Sequence, residues 1–296
     1  MHSRDSTAGV AMGGSAGVRR CVAPGIEDPV LIEKACSLAD RLGWAYEVSP
    51  PSDAVALVYT GDRLALRVGH GVVGVDAALR EGSAVWTDFA AIEGVGGRAG
   101  ASPLLKACGL GSKKRGGDRP SVLDATAGWC DDAWRLAAAG CRVTACERCL
   151  PVAALVRDGL ERAAQLGGAL SEIAQRITLI EDDAKHHLCA GEVSSRAGAT
   201  SGGGAGVVYL DPMFPESRKA APKNAIKALR LLTGFDVAGT ESDPGADEAA
   251  LFEAAWSSGC KRVVVKRGRR TPEVAGRAPD LRVRGKGHRF DVYLRG

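Results

Sequence analysis

Aromatic side chains make up only 5% of this 296-residue chain, so its core has to be built mainly from small aliphatic residues. No run approaches the roughly 20 apolar residues that a membrane helix needs, and a soluble protein is expected. The nine cysteines (Cys21, Cys36, Cys108, Cys130, Cys141, Cys146, Cys149, Cys189 and Cys260) are odd in number and form no even disulfide framework. A reducing, cytoplasmic setting follows as the expectation. The first 24 residues hold Arg4, Arg19 and Arg20 against one acid, Asp5, and lack the continuous apolar run of a secretory signal. They are expected to form a disordered tail, the alternative being a weak organellar transit peptide.

What is present is globular in kind. Hydrophobic residues reach 45% and charged residues 25%, close to the average for folded domains. The length allows one large domain with a small one. Charge is uneven: residues 261–296 carry twelve Lys or Arg against three acids, Glu273, Asp280 and Asp291, which makes this segment +9 and leaves the rest at −5. A second cluster, Lys113, Lys114, Arg115 and Arg119, lies ahead of the main motif. Concentrated positive charge suits a polyanion, because each neutralised phosphate releases counterions.

Asp28 can cap a helix over about 29–42, where Leu31, Ile32, Ala35, Leu38, Ala39 and Leu42 follow helical spacing. Short strands are expected at Trp44–Val48, Ala54–Tyr59, Arg63–Val68 and Val72–Val75, parted by Pro50-Pro51, Gly61-Asp62 and Gly69–Gly71. This predicts a small α+β N-terminal domain over 25–93, followed by a basic, Gly-rich connection over 94–120. From Ser121 strands and helices alternate: strands Ser121–Ala125, Cys141–Cys146, Arg176–Ile180, Val207–Leu210, Arg262–Val265 and Arg289–Leu294, with helices Asp132–Ala139, Pro151–Gln165, Lys223–Leu232 and Ala246–Trp256. Repeated βα units imply a parallel sheet with helices on both faces. The low-complexity stretch 191–206 reads as a flexible insertion.

The first of these strands runs into Asp124-Ala-Thr-Ala-Gly128, a strand–turn–helix with glycine at the bend. In open α/β sheets the ligand lies at the carboxyl ends of the strands, and the first βα turn approaches it most closely. Glu147 ends the second strand, 23 residues after Asp124, where an acid accepting both ribose hydroxyls belongs. A full G-x-G-x-x-G is missing, which argues against NAD. The fourth strand ends instead in Leu210-Asp211-Pro212-Met213-Phe214-Pro215. This tract is similar to the (Asp/Asn)-Pro-Pro-(Tyr/Phe) motif of amino-methyltransferases that modify nucleobase amines. Asp211 and the Pro212 carbonyl can each accept an amine N–H, and Phe214 can stack on the base, worth about 1–3 kcal/mol.

Over about residues 85–296 the chain resembles the RsmJ-type 16S rRNA (guanine-N2)-methyltransferases. The segments that carry this are Val122–Gly128, Glu147-Arg148, Pro151–Leu155, Val208–Pro215, Lys261–Arg267 and Lys286–Asp291. The resemblance implies an α/β, class I methyltransferase (Rossmann-like) doubly wound sheet, here over 121–296 behind the small α+β N-terminal domain. It also implies S-adenosylmethionine as donor and a guanosine of small-subunit rRNA, free or in the assembled subunit, as acceptor. Carried over by position, cofactor contacts fall on Asp124, Gly128, Asp131, Asp132, Glu147, Arg148, Asp183, Ala184 and Asp211, with Asp211, Pro212 and Phe214 as the catalytic group. RNA contacts are expected at Lys266, Arg267, Lys286, His288 and Arg289.

Three places depart from the family pattern. Cys130 stands where the family has a second glycine, Asp131 where it has arginine, and Asp183-Ala184 where it has two serines. If position 130 needs positive φ, the strain is about 1–3 kcal/mol. These departures favour the alternative of a non-catalytic RNA-binding or ribosome-assembly protein with a degraded cofactor turn. A DNA amino-methyltransferase would fit the 211–215 motif without the family tracts. The Cys146-Glu-Arg-Cys149 pair lacks a second pair at metal spacing, and His186-His187 does not supply one, so no metal is expected.

Overall fold

The computed structural model describes residues 18–73, 75, 77–80, 84–92, 102–110, 119–189, 206–212, 224–237 and 244–295. Two sheets organise them. The first comprises β1 (Arg19–Ala23), β2 (Ala45–Tyr46), β3 (Ala54–Tyr59) and β4 (Leu64–Val68), in the order β2-β1-β3-β4. Helix α1 (Pro29–Leu42) starts at Asp28, whose Oδ1 accepts from the Val30 and Leu31 amides at 2.9 and 3.1 Å. It buries Leu31, Ala35, Leu38 and Ala39, the stripe its spacing predicts, and ends at Gly43 in the left-handed region.

Several sequence expectations are corrected here. The expected tail over 1–24 does not extend to Ala23, because β1 occupies 19–23 and pairs in parallel with both β2 and β3. Only three apolar residues follow its two arginines, too short a run to announce a strand. The expected strand Val72–Val75 is not formed: Val72 is buried in a turn and Val73 is exposed. The expected connection 94–120 contains a helix, α3 (Pro103–Ala107), with Leu104, Leu105 and Ala107 buried. Ahead of it come α2 (Ala77–Arg80) and a 3-10 turn at Phe89–Ala91 capped by Asp88. The basic residues 113–115, and all but Gly206 of the low-complexity stretch, lie outside the described residues.

The second sheet follows the chain as β5 (Val122–Asp124), α4 (Asp131–Ala138), β6 (Val143–Cys146), α5 (Leu150–Gln165), α6 (Gly168–Ala174), β7 (Ile177–Ile180), α7 (Ala184–Cys189) and β8 (Val207–Leu210). Then come α8 (Asn224–Val237), α9 (Pro244–Ser257), β9 (Arg262–Gly268), β10 (Leu281–Arg284) and β11 (His288–Leu294). The strand order is β10-β11-β9-β8-β5-β6-β7, parallel from β9 to β7, with β11 antiparallel to β9 and β10. The βαβ alternation therefore produces the doubly wound sheet expected of a class I methyltransferase.

From β5 the chain moves to β6 on one side, and β8 later pairs on the other side. Between these neighbours lies the topological switch point, where a crevice opens at the strands' carboxyl ends. One continuous hydrophobic core joins both sheets, from Val22 and Leu57 through Phe89, Trp134 and Leu155 to Tyr209 and Val292. Phe89 stacks on Trp134 at 4.5 Å between centroids. Gly159 of α5 permits this approach, since a Cβ there would lie 2.9 Å from the Thr87 Cβ.

Candidate active site

The turn after β5 is held from two sides. The Ala125 amide donates to the Tyr209 carbonyl of β8, and the Ala127 amide to the Cys146 carbonyl of β6, both at 2.9 Å. Asp124 is 1% exposed, and its Oδ1 accepts from the Thr126 amide at 3.2 Å. Burial pushes its carboxyl well above the ordinary carboxylate range; Asp132 and Asp211 push the same way, against the Thr126 amide and Lys266. Gly128 has φ +52°, a conformation that suits glycine. Cys130 also takes the left-handed region, at φ +66°, so the position does require positive φ. Its side chain is wholly buried, so the thiol faces the interior rather than the cleft.

Glu147 follows β6 and is nearly buried. Its Oε2 accepts from the Gly128 amide at 2.7 Å and its Oε1 from the Cys149 amide at 2.8 Å. A carboxylate accepts about four hydrogen bonds, so these two orient it beside the glycine turn. Arg148 projects outward onto Asp247 of α9 at 2.9 Å, with Asp183 at 3.8 Å. Asp183 accepts from the Lys185 amide at 2.9 Å, and Lys185 also reaches Asp247. Ala184 is buried at the start of α7, and Asp131 is exposed at the start of α4. The positions expected after β5, β6 and β7 thus share one edge of the sheet. Asp247, which pairs with both Arg148 and Lys185, carries no sequence signal because it comes from a helix far along the chain.

At the end of β8 the Asp211 amide donates to Thr126 Oγ1 at 2.6 Å, tying this strand end to the β5 turn. Pro212 is half-buried beside it, whereas Phe214 lies outside the described residues. Lys266 Nζ lies 2.7 Å from Asp211 Oδ2 and 2.9 Å from Asp132 Oδ2. Tyr209 donates its hydroxyl to that same Asp132 oxygen at 2.6 Å. Burial raises Asp211, and Asp132 adds to this, more than Lys266 offsets it. Burial also works against Asp132, but Lys266 and the Tyr209 hydroxyl outweigh it, so its carboxyl lies below the ordinary range. Sequence reasoning missed Tyr209; the signal was a phenol inside an otherwise apolar strand, where a buried hydroxyl needs a partner.

The expected RNA contacts divide. Lys266 belongs to this buried cluster rather than to an exposed phosphate surface. Arg267 is 4% exposed; it donates to the Pro272 carbonyl and pairs with Glu248. Arg289 grips buried Asp291 through two bonds of 2.8 and 2.9 Å and donates to the Gly268, Arg269 and Thr271 carbonyls. Arg267 and Arg289 therefore brace β9 and β11. Lys286 is exposed in the turn before β11. His288 is half-buried, edge-on to Phe290 with ring centroids 4.9 Å apart, and burial together with Lys266 lowers its pKa.

Cys146 and Cys149 are both buried and outside any disulfide, and burial pushes the Cys146 thiol up to about 12. His186 and His187 both face Asp182, each at 3.1 Å. Among the described residues no group of three or more His, Cys, Asp or Glu could hold a metal ion, and no helix is long and apolar enough to cross a membrane.

Comparison with known proteins matches residues 43–295 to the family described as "Putative SAM-dependent methyltransferase". The ribosomal RNA small subunit methyltransferase J of Chromobacterium violaceum is 36% identical over 269 residues, covering 90% of this chain and 94% of the relative. That of Aeromonas salmonicida is 36% identical over 282 residues, covering 91% and 96%. The crystal structure of a SAM-dependent methyltransferase from Neisseria gonorrhoeae shares 30% identity and a TM-score of 0.64, over 93% of this chain and 95% of that one. With its family motifs set on the matching sheet edge, the chain belongs to the ribosomal RNA small subunit methyltransferase J family of S-adenosylmethionine-dependent methyltransferases.

Proposed function

We propose that the protein transfers a methyl group from S-adenosylmethionine to the exocyclic N2 amine of a guanosine in small-subunit ribosomal RNA. The observation that carries this reading is Asp211-Pro212 at the end of β8, hydrogen-bonded through Thr126 to the glycine turn across the switch point. The chemistry of the donor set fits the cofactor: a left-handed glycine turn, and the Glu147 carboxylate held beside it by two amides. Asp124, Gly128, Asp131, Asp132, Glu147, Arg148, Asp183 and Ala184 would hold it along this edge. When bound, S-adenosylmethionine supplies an electrophilic methyl group on a sulfonium.

The remaining work belongs to the chain. A guanine N2 lone pair is delocalised into the ring, which makes the amine a poor nucleophile. Hydrogen bonds from its two N–H groups to the Asp211 carboxylate and the Pro212 carbonyl localise that pair on nitrogen. Forming the N–C bond at the expense of the methyl–sulfur bond would leave a neutral thioether and an amine with one proton in excess, and Asp211 is the base placed to accept that proton. Holding both reactants in line can lower the barrier by about 7–11 kcal/mol. Phe214 serves as the stacking partner of the base. Lys286, with Arg270 and Arg284 exposed nearby, meets the RNA backbone, and Arg269 braces their turn through a 2.7 Å bond to the Lys286 carbonyl. Residues 25–93 act as an accessory unit, and the site of action is the cytoplasm, with its ribosomes.

The inward-facing Cys130 thiol weighs against the non-catalytic alternative, because the residue that replaces glycine does not fill the cleft. The test is transfer of labelled methyl to small subunits and to free small-subunit rRNA, followed by nucleoside analysis. N2-methylguanosine is the expected product, abolished by Asp211→Ala in a folded protein. Near-normal turnover in that variant, or label on another base, would overturn the proposal.

A further inference from the structure

Lys266 sits on β9, next to the end of β8 where Val265 pairs with Leu210, and is expected from the sequence to meet an RNA phosphate. Yet its ammonium is within 2.9 Å of Asp132, the second residue of α4, and within 2.7 Å of Asp211. Its side chain is only 23% exposed, so a phosphate would have to displace one of two carboxylates to reach it. Two anions and one cation share the base of the cleft. Two carboxylates crowded there without the cation would not both stay ionised.

We propose that Lys266 is a positioning residue for methyl transfer: by bridging Asp132 and Asp211 it fixes the Asp211 carboxylate as the hydrogen-bond acceptor and couples it to the cofactor turn. This rests on the methyl-transfer reading above. The groups facing Asp211 come from three further elements, Lys266 from β9, Asp132 from α4 and Asp124 from β5, with Tyr209 on β8 itself, while His288 of β11 faces Lys266 and Asp132. The Tyr209 hydroxyl holds Asp132 at 2.6 Å, so the bridge has one fixed end and one working end. Lys266 is itself held protonated: burial works against its charge, but Asp211 and Asp132 together raise it above its ordinary value.

The signs are opposite for the two partners. Removing Lys266 takes away the cation that favours ionised Asp211, so the acid limb of the pH–rate profile moves up. Removing the Asp132 charge takes away an anion that opposes ionisation, so the limb moves down. Lys266→Met is expected to lower kcat at neutral pH about 10- to 100-fold and to raise the limb by about one pH unit, with KM for small subunits little changed. Lys266→Arg should restore most of the limb position. Asp132→Asn should shift it the other way. If Lys266→Met does not fold, the double variant Asp132→Asn/Lys266→Met removes the cation together with one of its two carboxylates, and its limb should lie above that of Asp132→Asn.

Limbs that coincide in all variants would overturn the proposal. So would a Lys266→Met enzyme with normal kcat, raised KM and a salt dependence shallower by about one unit, the signature of a lost phosphate contact. Failure of the wild-type protein to methylate rRNA would remove the underlying reading instead, so the two failures are distinct.

Discussion

Replacing Cys130 isolates the cost of the altered cofactor turn. The residue holds φ +66° with a fully buried side chain. A left-handed conformation costs a non-glycine residue about 1–2 kcal/mol. Cys130→Ala keeps the Cβ, and therefore the strain, while losing the buried sulfur and its contacts, about 1 kcal/mol. Cys130→Gly loses the Cβ as well and adds about 0.5–1 kcal/mol of unfolded-state entropy, but it releases the strain. Glycine should thus equal or exceed alanine in stability, although glycine is ordinarily the less stable of the pair. Reversible unfolding in urea at fixed pH, with the slope held common, reads the difference directly. Because the thiol faces inward, Cys130→Gly should also leave S-adenosylmethionine affinity within about twofold, well inside the tenfold that 1.4 kcal/mol represents. An alanine variant more stable than glycine by a full kcal/mol would refute the strain argument. A tenfold gain in cofactor affinity for glycine would refute the inward orientation.

Burial raises the carboxyl of Asp124, so the folded state binds its proton more tightly than the unfolded chain does, and this aspartate lowers stability as pH rises from the ordinary carboxylate range toward its folded value. Asp124→Asn should therefore gain on the wild type as pH increases, and a pH-independent difference in thermal unfolding would contradict this. Asp247→Ala removes the partner shared by Arg148 and Lys185. It should cost under about 1 kcal/mol per partly exposed pair yet weaken cofactor binding in calorimetry; unchanged affinity would show that the clamp does not shape the cofactor edge. Arg289→Ala leaves Asp291, whose side chain is fully buried, with Arg282 at 3.7 Å in place of two close bonds, and should destabilise by about 3 kcal/mol. Lys286→Ala should leave stability alone but reduce the salt slope of RNA binding by about one; the reverse pattern would exchange their roles.

The βαβ frame was legible because its strands are short apolar runs ended by chemistry: Asp124 with the glycine turn, Glu147 and Asp211. Position in sequence then becomes position in space, since parallel strands present their carboxyl ends on one edge. Elements that lack such a marker were missed. The strand at 19–23 begins with two arginines, the edge strand Leu281–Arg284 alternates charge with only two apolar residues, and α6 opens in glycines that read as a break. A charged edge strand such as Leu281–Arg284 discourages unwanted pairing, which is why it resembles a loop in composition. Asp247 and Tyr209 escaped for a different cause. Their partners lie 99 and 77 residues away, and no local pattern encodes a contact of that range.

The basic C-terminal segment shows why net charge is a weak guide to a binding face. Twelve cations against three acids suggest an electrostatic surface for RNA. In the fold, Lys266 neutralises two carboxylates at the cleft, Arg267 and Arg289 satisfy backbone carbonyls, and Arg262 donates to the Ala107 carbonyl at 2.8 Å. Arg277 lies over the Trp256 ring at 4.3 Å. Each of these cations holds one element against another. Exposed Arg269, Arg270, Arg284 and Lys286 gather at the two turns beside the cleft, around 269–270 and 284–286, where a bound polyanion would pass the strand ends. If that division is correct, affinity for RNA and stability of the β9–β11 edge respond to different arginines, and a variant set that moved both properties together would show that the charges act as one field.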